Sequence, residues 1–194
     1  MIPVTNILIA GVGGQGIILA GKLIAQAAIA SGLDVKTSEI HGMAQRGGSV
    51  TTHVRFGEKI FSPVIDPGNA DFLLAFEKLE GLRYMEFLKS KGTVVLNNQA
   101  IAPLPVAIGL ETYPEAPEKQ IAARFSLVLI DAASEAEALG NLRVANVVMI
   151  GALAHYLPLP AAAWEEAIKA SVPVRFLEIN RRAFARGFEL AAKS

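Results

Sequence analysis

In the first third of the chain, the spacing of apolar residues predicts a strand, then a helix, then a second strand. Residues 6–10 form a short apolar run that predicts a buried strand, and a cluster of glycines follows it. Residues 17–30 are apolar almost all round, with small side chains on one side, as in a helix that packs on a sheet. A second strand is predicted at 35–39. This order predicts a βαβ unit with a right-handed crossover.

The period changes after residue 40. Residues 41–48 have no regular pattern, whereas residues 49–56 alternate between two faces. One face carries Val50, Thr52, Val54 and Phe56, and the other carries Ser49, Thr51, His53 and Arg55. We expect a β-hairpin in which this strand pairs with residues 59–62 and keeps one face in solvent.

The strand–helix alternation resumes in the rest of the chain. Strands are predicted at 72–76, 93–96 and 127–130, and helices at 77–89, 118–123, 134–139, 144–156, 161–171 and 178–192. Gly92 is the expected stop of the helix at 77–89, and the proline-rich stretch 97–117 is expected to be a loop with at most a short strand near Leu110. We therefore predict one domain over 1–194. Its expected fold is a Rossmann-like three-layer α/β/α arrangement, with a mostly parallel sheet and an inserted β-hairpin.

Composition narrows the functions that this fold could carry. Hydrophobic residues make up 52% of the chain and the mean hydropathy is +0.41, so we expect a partner, or a second copy, to cover apolar surface. Eighteen basic residues balance eighteen acidic ones, which disfavours nucleic acid as a ligand. The chain has no cysteine, so it offers no thiolate ligand or nucleophile, and its histidines and carboxylates show no metal-site spacing.

Two stretches without charged residues, 1–21 and 144–164, could be mistaken for export or membrane segments. Glycines interrupt the first, which also lacks a basic start, and prolines interrupt the second. We expect a cytoplasmic protein with no membrane segment.

The first candidate motif is the glycine turn after the first strand. It reads Gly11-Val12-Gly13-Gly14-Gln15-Gly16 and satisfies the G-x-G-x-x-G pattern that opens dinucleotide-binding helices. Glu39 closes the second strand, where a ribose-binding acid would stand. The alternative is that the glycines serve close packing of strand and helix and that Glu39 caps a loop. The motif alone leaves both interpretations open.

The second candidate motif follows at once and is unusual for a dehydrogenase. Residues 37–50 read Thr-Ser-Glu-Ile-His-Gly-Met-Ala-Gln-Arg-Gly-Gly-Ser-Val, which is dense in hydrogen-bonding side chains. Arg46 beside Gly47 and Gly48 offers a fork of donors next to open backbone amides, suited to phosphate or carboxylate. His41 is a candidate proton donor or carboxylate ligand, and His53 is expected to be structural. The alternative is a self-satisfied loop that docks on another subunit.

Together the two motifs resemble the gamma-type domain of the 2-oxoacid:ferredoxin oxidoreductases. Residues 41–48, His-Gly-Met-Ala-Gln-Arg-Gly-Gly, are similar to the small, beta-type subunit of the indolepyruvate enzymes within that family. The resemblance covers the whole chain in length and element order, although beyond residue 61 it rests on pattern alone.

The resemblance implies a subunit that is inactive alone. In such complexes an oxidative decarboxylation converts a 2-oxoacid, here an aryl pyruvate, to an acyl-CoA and passes electrons to ferredoxin. Thiamine diphosphate, magnesium and the iron–sulfur clusters would belong to a large partner subunit, and coenzyme A is the ligand best permitted on this chain. His41 and Arg46 are the implied catalytic residues. The implied cofactor-contacting residues are Gly11, Gly13, Gly14, Gln15, Gly16, Glu39, Gln45, Gly47, Gly48 and Ser49.

Two rival hypotheses remain from the sequence. A free-standing dehydrogenase would bind NAD or FAD at the glycine turn of the isolated chain. A purely structural subunit would keep Gly13 and Gly14 for stability alone, and it would tolerate changes of Gln45 and Arg46 without kinetic effect.

Overall fold

The computed structural model describes residues 3–41, without the side chain of His41, and residues 47–193. One mixed sheet contains the strands β1 (Thr5–Val12), β2 (Asp34–His41), β3 (Ser49–Gly57), β4 (Ala70–Ala75), β5 (Leu88–Asn97) and β6 (Ser126–Ile130). The helices are α1 (Ile17–Ala30), α2 (Lys78–Tyr84), α3 (Leu104–Ala107), α4 (Pro117–Ala122), α5 (Ala132–Ala138), α6 (Ala145–Ala154), α7 (Ala161–Ser171) and α8 (Leu177–Ala191).

The strand order across the sheet is β2-β3-β1-β4-β5-β6. Strands β4, β5 and β6 run parallel to β1, and β3 runs antiparallel to both of its neighbours, β1 and β2. Helices cover both faces because β1 is apolar on both: Ile7 and Ile9 join one core, and Leu8 and Ala10 join the other. The predicted three-layer fold with a mostly parallel sheet is confirmed.

The predicted hairpin had the wrong partner strand. Residues 59–62 form no strand, and β3 instead pairs along its whole length with β2 on one side and β1 on the other. The alternating pattern of β3 correctly indicates a strand, but alternation carries no information about which strand lies beside it.

The solvated face predicted for β3 is also wrong. Thr51 and His53 are only 3% exposed. Nδ1 of His53 accepts a hydrogen bond from the Ile65 amide at 3.0 Å, and the His53 ring meets the Phe87 ring edge-on. Arg55 donates from its guanidinium to the backbone carbonyls of Ser62 and Val64, at 2.9 Å each. Arg55 and His53 therefore form hydrogen bonds with the segment that follows β3.

The second half of the chain differs from prediction in two places. Helix α2 ends at Tyr84, and β5 already begins at Leu88, which is buried and pairs with Ala70 of β4. The register then shifts, and regular pairing continues from Thr93. Gly92 therefore lies inside a strand instead of stopping a helix. The stretch 97–117 has no strand near Leu110, which agrees with the expected loop, but it contains the one-turn helix α3, which was not predicted.

Helices α6 and α8 cross at unusually close range. A Cβ atom on Gly151 would clash with the Phe184 carbonyl oxygen, and one on Gly187 would clash with the carbonyl oxygen of Val148. The two backbones meet directly at these glycines. Throughout the described residues, every helix is too short or too polar to cross a bilayer.

Candidate functional site

The glycine turn connects the end of β1 to the start of α1, near the middle of the sheet. Gly16 has a φ of 83°, a left-handed conformation, and it stands at the N-terminus of α1. A Cβ atom on Gly16 would lie 2.5 Å from Nδ2 of Asn146, so a side chain there meets both backbone strain and a neighbour. The turn thus brings the backbone amides at the start of α1 to the surface of a cleft.

Gln15 fastens this turn to the neighbouring strands. Its Oε1 accepts a hydrogen bond from the backbone amide of Val12 at 2.7 Å. Its Nε2 donates to the Phe76 carbonyl at 3.0 Å and to Oε1 of Gln99 at 2.9 Å. Both amide hydrogens of Gln15 are therefore used within the protein. This geometry favours a positioning role for Gln15 over direct contact with a ligand.

The end of the second motif lies against the glycine turn. The Gly13 amide donates to the Gly48 carbonyl at 2.9 Å, and Ser49 pairs with Val12 across β1 and β3. The Ser49 hydroxyl donates to the buried carboxylate of Glu80. Two motifs that are separate in the sequence thus form one surface at the end of β1.

Of the candidate side chains between residues 39 and 46, the structure describes that of Glu39, and it places Glu39 away from the glycine turn. Glu39 is exposed and sits opposite Thr52 on β3, so it is two strand spacings, about 10 Å, from β1. A ribose-binding acid instead follows a strand adjacent to β1. Gln45, Arg46 and the side chain of His41 lie outside the described residues. Gly47, with a φ of 76°, is exposed at the start of the described part.

A cleft of about 480 Å³ opens beside the glycine turn, at the carboxyl ends of β1, β4 and β5. Parallel α/β sheets commonly bind ligands at this end. Its walls come from the turn, the segments after β4 and β5, and the start of α6. The lining residues are Gly14, Gln15, Gly16, Phe76, Asn97, Gln99, Ala133, Leu142, Arg143, Ala145 and Asn146.

Two side chains give the cleft its polar character. Arg143 is exposed at its wall and forms no ion pair within the described residues. Oδ1 of Asn146 is buried and accepts no hydrogen bond from that same part of the chain. An unpaired cation, an unsatisfied acceptor and a helix N-terminus together suit an anionic ligand that also carries a donor.

The sequence interpretation missed these two residues, as well as the buried carboxylates of Glu77 and Glu80. The available signal was weak: Arg143 precedes α6 and Asn146 is its second residue and only polar side chain, and polar residues at the start of a helix commonly only cap it. Their position opposite the glycine turn depends on how α6 packs on the sheet, which no local pattern reveals.

Comparison with known proteins identifies the family. The family model described as pyruvate ferredoxin/flavodoxin oxidoreductase matches residues 6–190. The chain belongs to this family. It is 42% identical over 192 residues to the indolepyruvate oxidoreductase subunit IorB of Thermococcus kodakarensis, an alignment that covers 96% of this chain and 95% of that protein.

Solved structures of the oxidoreductase family share the fold. The gamma subunit of the keto/oxoacid ferredoxin oxidoreductase from Geobacter sulfurreducens is 28% identical with a TM-score of 0.74, covering 98% of this chain and 99% of that one. The 2-oxoglutarate:ferredoxin oxidoreductase from Magnetococcus marinus, solved with 2-oxoglutarate, coenzyme A and succinyl-CoA, has a TM-score of 0.77 at 22% identity, which shows the fold alone. The match covers 98% of this chain and 31% of that longer one.

The family resemblance expected from the two motifs is therefore confirmed. The protein is the small subunit of a multi-subunit 2-oxoacid:ferredoxin oxidoreductase and is similar to the indolepyruvate type. Family membership favours this assignment over a free-standing dehydrogenase.

Proposed function

We propose that this chain is the iron-free subunit of an enzyme that oxidatively decarboxylates an aryl 2-oxoacid such as indolepyruvate. The products are an acyl-CoA and carbon dioxide, with the electrons passed to ferredoxin. The observation that carries the proposal is the 42% identity to an indolepyruvate oxidoreductase subunit over 96% of the chain.

In this proposal the redox and decarboxylation groups belong to a large partner subunit. The chain has no cysteine, so thiolate-ligated clusters would need ligands from elsewhere. Thiamine diphosphate, held with magnesium by the partner, supplies the carbanion chemistry that decarboxylation of a 2-oxoacid requires. The residues of this chain bind and orient, and we expect no turnover from the isolated subunit.

The cleft beside the glycine turn is the proposed contact with coenzyme A. Its phosphates are anionic and match the amides at the start of α1 together with the guanidinium of Arg143. The buried Oδ1 of Asn146 can accept a hydrogen bond from an amide or hydroxyl of the same ligand. The coenzyme A complex solved for the Magnetococcus marinus enzyme, which shares this fold, supports the choice of ligand.

The second motif completes the proposed site. We place Gly11, Gly13, Gly14, Gly16, Gly48 and Ser49 at the end of β1 that faces the shared active site, with Gln15 as their support. Arg46 is proposed to bind the substrate carboxylate or a phosphate, His41 to act as proton donor or carboxylate ligand, and Gln45 and Gly47 to border the ligand. Glu39 stays a proposed contact only through a partner, because it lies apart from the cleft.

An anaerobic purification tests the proposal directly. The chain, tagged and expressed in its native host, should bring down a larger cysteine-rich chain with iron–sulfur absorption. That complex should reduce ferredoxin when given indolepyruvate and coenzyme A. A colourless, solitary chain that captures NAD or FAD would refute the proposal and favour the dehydrogenase.

Arg143→Ala tests the coenzyme A contact within the purified complex. Loss of one charge-assisted hydrogen bond at an exposed site should raise KM for coenzyme A about tenfold, equivalent to about 1.4 kcal/mol, while kcat stays near the wild-type value. Arg175→Ala, which removes an arginine stacked on Phe176 outside the cleft, is the matched control. An unchanged KM in both variants would remove Arg143 from the site.

Arg46→Ala separates the catalytic proposal from the purely structural alternative. We expect the subunit to fold and assemble normally, with a severe loss of turnover. Unchanged turnover together with unchanged affinity for coenzyme A would remove Arg46 from the site and support the structural alternative.

A further inference from the structure

Residues 101–113 form an apolar arm between β5 and α4. Three of its large apolar side chains face solvent: Leu104 is 72% exposed, Ile108 59% and Leu110 77%. Leu104 and Ile108 are four residues apart on the turn of α3 and share one side of it, since the Ile108 amide bonds the Leu104 carbonyl at 3.0 Å. The Leu110 amide bonds the Pro105 carbonyl at 2.8 Å, which folds the chain back.

A single buried carboxylate holds both ends of the arm. Glu77 is 1% exposed, and its Oε1 accepts from the Ile101 amide at 2.9 Å and from the Tyr113 hydroxyl at 2.5 Å. The Tyr113 hydroxyl in turn accepts from the Leu79 amide at 3.1 Å. Burial, and the hydrogen bond to the Glu77 carboxylate, raise the pKa of Tyr113. The arm is thus an Ω-shaped loop with closed ends.

Holding such a loop in place has an energetic consequence. Ordering loop residues costs conformational entropy, and exposing apolar side chains brings no compensating burial. An arm that is already ordered by Glu77 loses little further freedom when a partner covers it, and preorganisation of this kind strengthens binding. Grouped exposed apolar side chains of this size commonly mark an interaction surface.

The charge of the arm indicates what kind of partner fits it. Glu111 is its only charged residue, and Glu115 follows just beyond it. An arm-against-arm contact between two copies would bury Glu111 of each copy against an arm that has no basic residue to pair with it. A different chain with an apolar pocket and a basic rim has no such conflict.

The arm also begins at the wall of the candidate site. Gln99 lines the cleft and bonds Gln15, and its carbonyl accepts from the Lys78 amide at 2.9 Å. Two residues later the arm itself is anchored on Glu77. A partner seated on the arm would therefore lie next to the cleft.

We propose that the apolar arm is the docking point of the large thiamine-diphosphate-bearing subunit, received in an apolar pocket with a basic rim. This inference rests on the proposed function, since it names the surface through which that function's partner is held. The arm supplies the apolar centre of a larger interface, where a few side chains carry most of the binding free energy.

The test uses the tagged chain co-expressed with the large subunit. The double change Ile108→Glu and Leu110→Glu places unpaired charge in the pocket and should lower the recovered large subunit per tagged chain at least tenfold. Val174→Glu, at a side chain that is 88% exposed outside the arm, is the matched control and should leave recovery unchanged. Glu111→Lys should weaken recovery less, by a few-fold, and should reverse its sensitivity to salt.

Circular dichroism and thermal unfolding of the isolated variants must match the wild type, which the exposure of the changed residues predicts. Full recovery of an active complex by the arm variant would overturn the docking inference and leave the proposed function standing. A wild-type complex that oxidises no 2-oxoacid, yet is lost in the arm variant, would overturn the proposed function and keep the docking surface. An isolated wild-type dimer in sedimentation that the arm variant dissociates would also overturn the inference, in favour of a second copy.

Discussion

Gln15→Glu is the sharpest test of how the glycine turn is held. The substitution keeps the shape of the side chain and keeps Oε1 as the acceptor for the Val12 amide. It replaces the amide nitrogen with an oxygen that faces the Phe76 carbonyl at 3.0 Å and Oε1 of Gln99 at 2.9 Å. Two hydrogen bonds become contacts between oxygen atoms.

The magnitude follows from those two bonds. Each contributes about 0.5–1.5 kcal/mol net, so their loss lowers the free energy of unfolding by about 1–3 kcal/mol. The Gln99 amide can turn to donate instead, at the loss of the bond that its oxygen accepts from Asn97. The Phe76 carbonyl has no such adjustment. We therefore expect a loss of about 2–3 kcal/mol at pH 8.

The loss should depend on pH with a defined sign. A protonated carboxyl group can donate to the Phe76 carbonyl, so the folded state raises the pKa of the new carboxyl above its unfolded value. A raised pKa contributes stability at low pH that disappears as pH rises through the folded-state pKa. The gap between wild type and Gln15→Glu should therefore be smaller at pH 5 than at pH 8.

Urea unfolding of the isolated chain across this pH range measures the effect. Gln15→Ala is the control, because it removes the same bonds without a titrating group and should be destabilised equally at both pH values. If Gln15→Glu matches the wild type in stability at pH 8, or if its deficit is the same at pH 5, the side chain does not fasten the turn.

Two further changes test other parts of the fold. Gly151→Ala puts a methyl group against the Phe184 carbonyl, so the free energy of unfolding should fall by about 2–3 kcal/mol in thermal and urea unfolding. The better helix propensity of alanine offsets at most about 1 kcal/mol of this loss. A variant as stable as wild type would contradict the close crossing of α6 and α8. Burial, and then the charge of Arg55, lower the pKa of His53, whose Nδ1 accepts from the Ile65 amide at 3.0 Å. Stability should therefore fall as pH drops below about 6.5, the unfolded pKa, and His53→Asn, which keeps an acceptor, should flatten that dependence; a titration of His53 by NMR at or above 6.5 would refute it.

Local pattern predicted the elements of the sheet better than their arrangement. The sequence correctly predicted β1, β2 and the glycine turn between β1 and α1. Strand and turn patterns depend on only a few neighbouring residues, so they can be recognised locally. The insertion of β3 between β1 and β2 was not, because pairing is decided by which side chains the whole sheet buries. His53 has the spacing of a solvent-facing residue, but it is buried and its Nδ1 accepts a hydrogen bond from the Ile65 amide of a segment distant in the pattern.

The candidate site divides in the same way. Glycine spacing located the turn, and the composition of residues 37–50 located the surface that Gly48 and Ser49 share with it. Arg143 lines the cleft because tertiary packing brings a distant segment there. The residues next to Arg143 in the sequence show no pattern that indicates this position. Glu39 has the spacing of a ribose ligand, but the inserted strand carries it away from the turn.

The insertion of β3 also has a consequence for how the family could diversify. His41 pairs with Val50, so the chain between them leaves and re-enters the sheet at adjacent strands. Closing a loop between fixed ends depends weakly on its length, with each doubling costing only about 0.6 kcal/mol. We therefore expect that the segment between β2 and β3 can be exchanged between relatives that act on different 2-oxoacids. Such an exchange should change which substrate is recognised and leave the fold of the sheet intact.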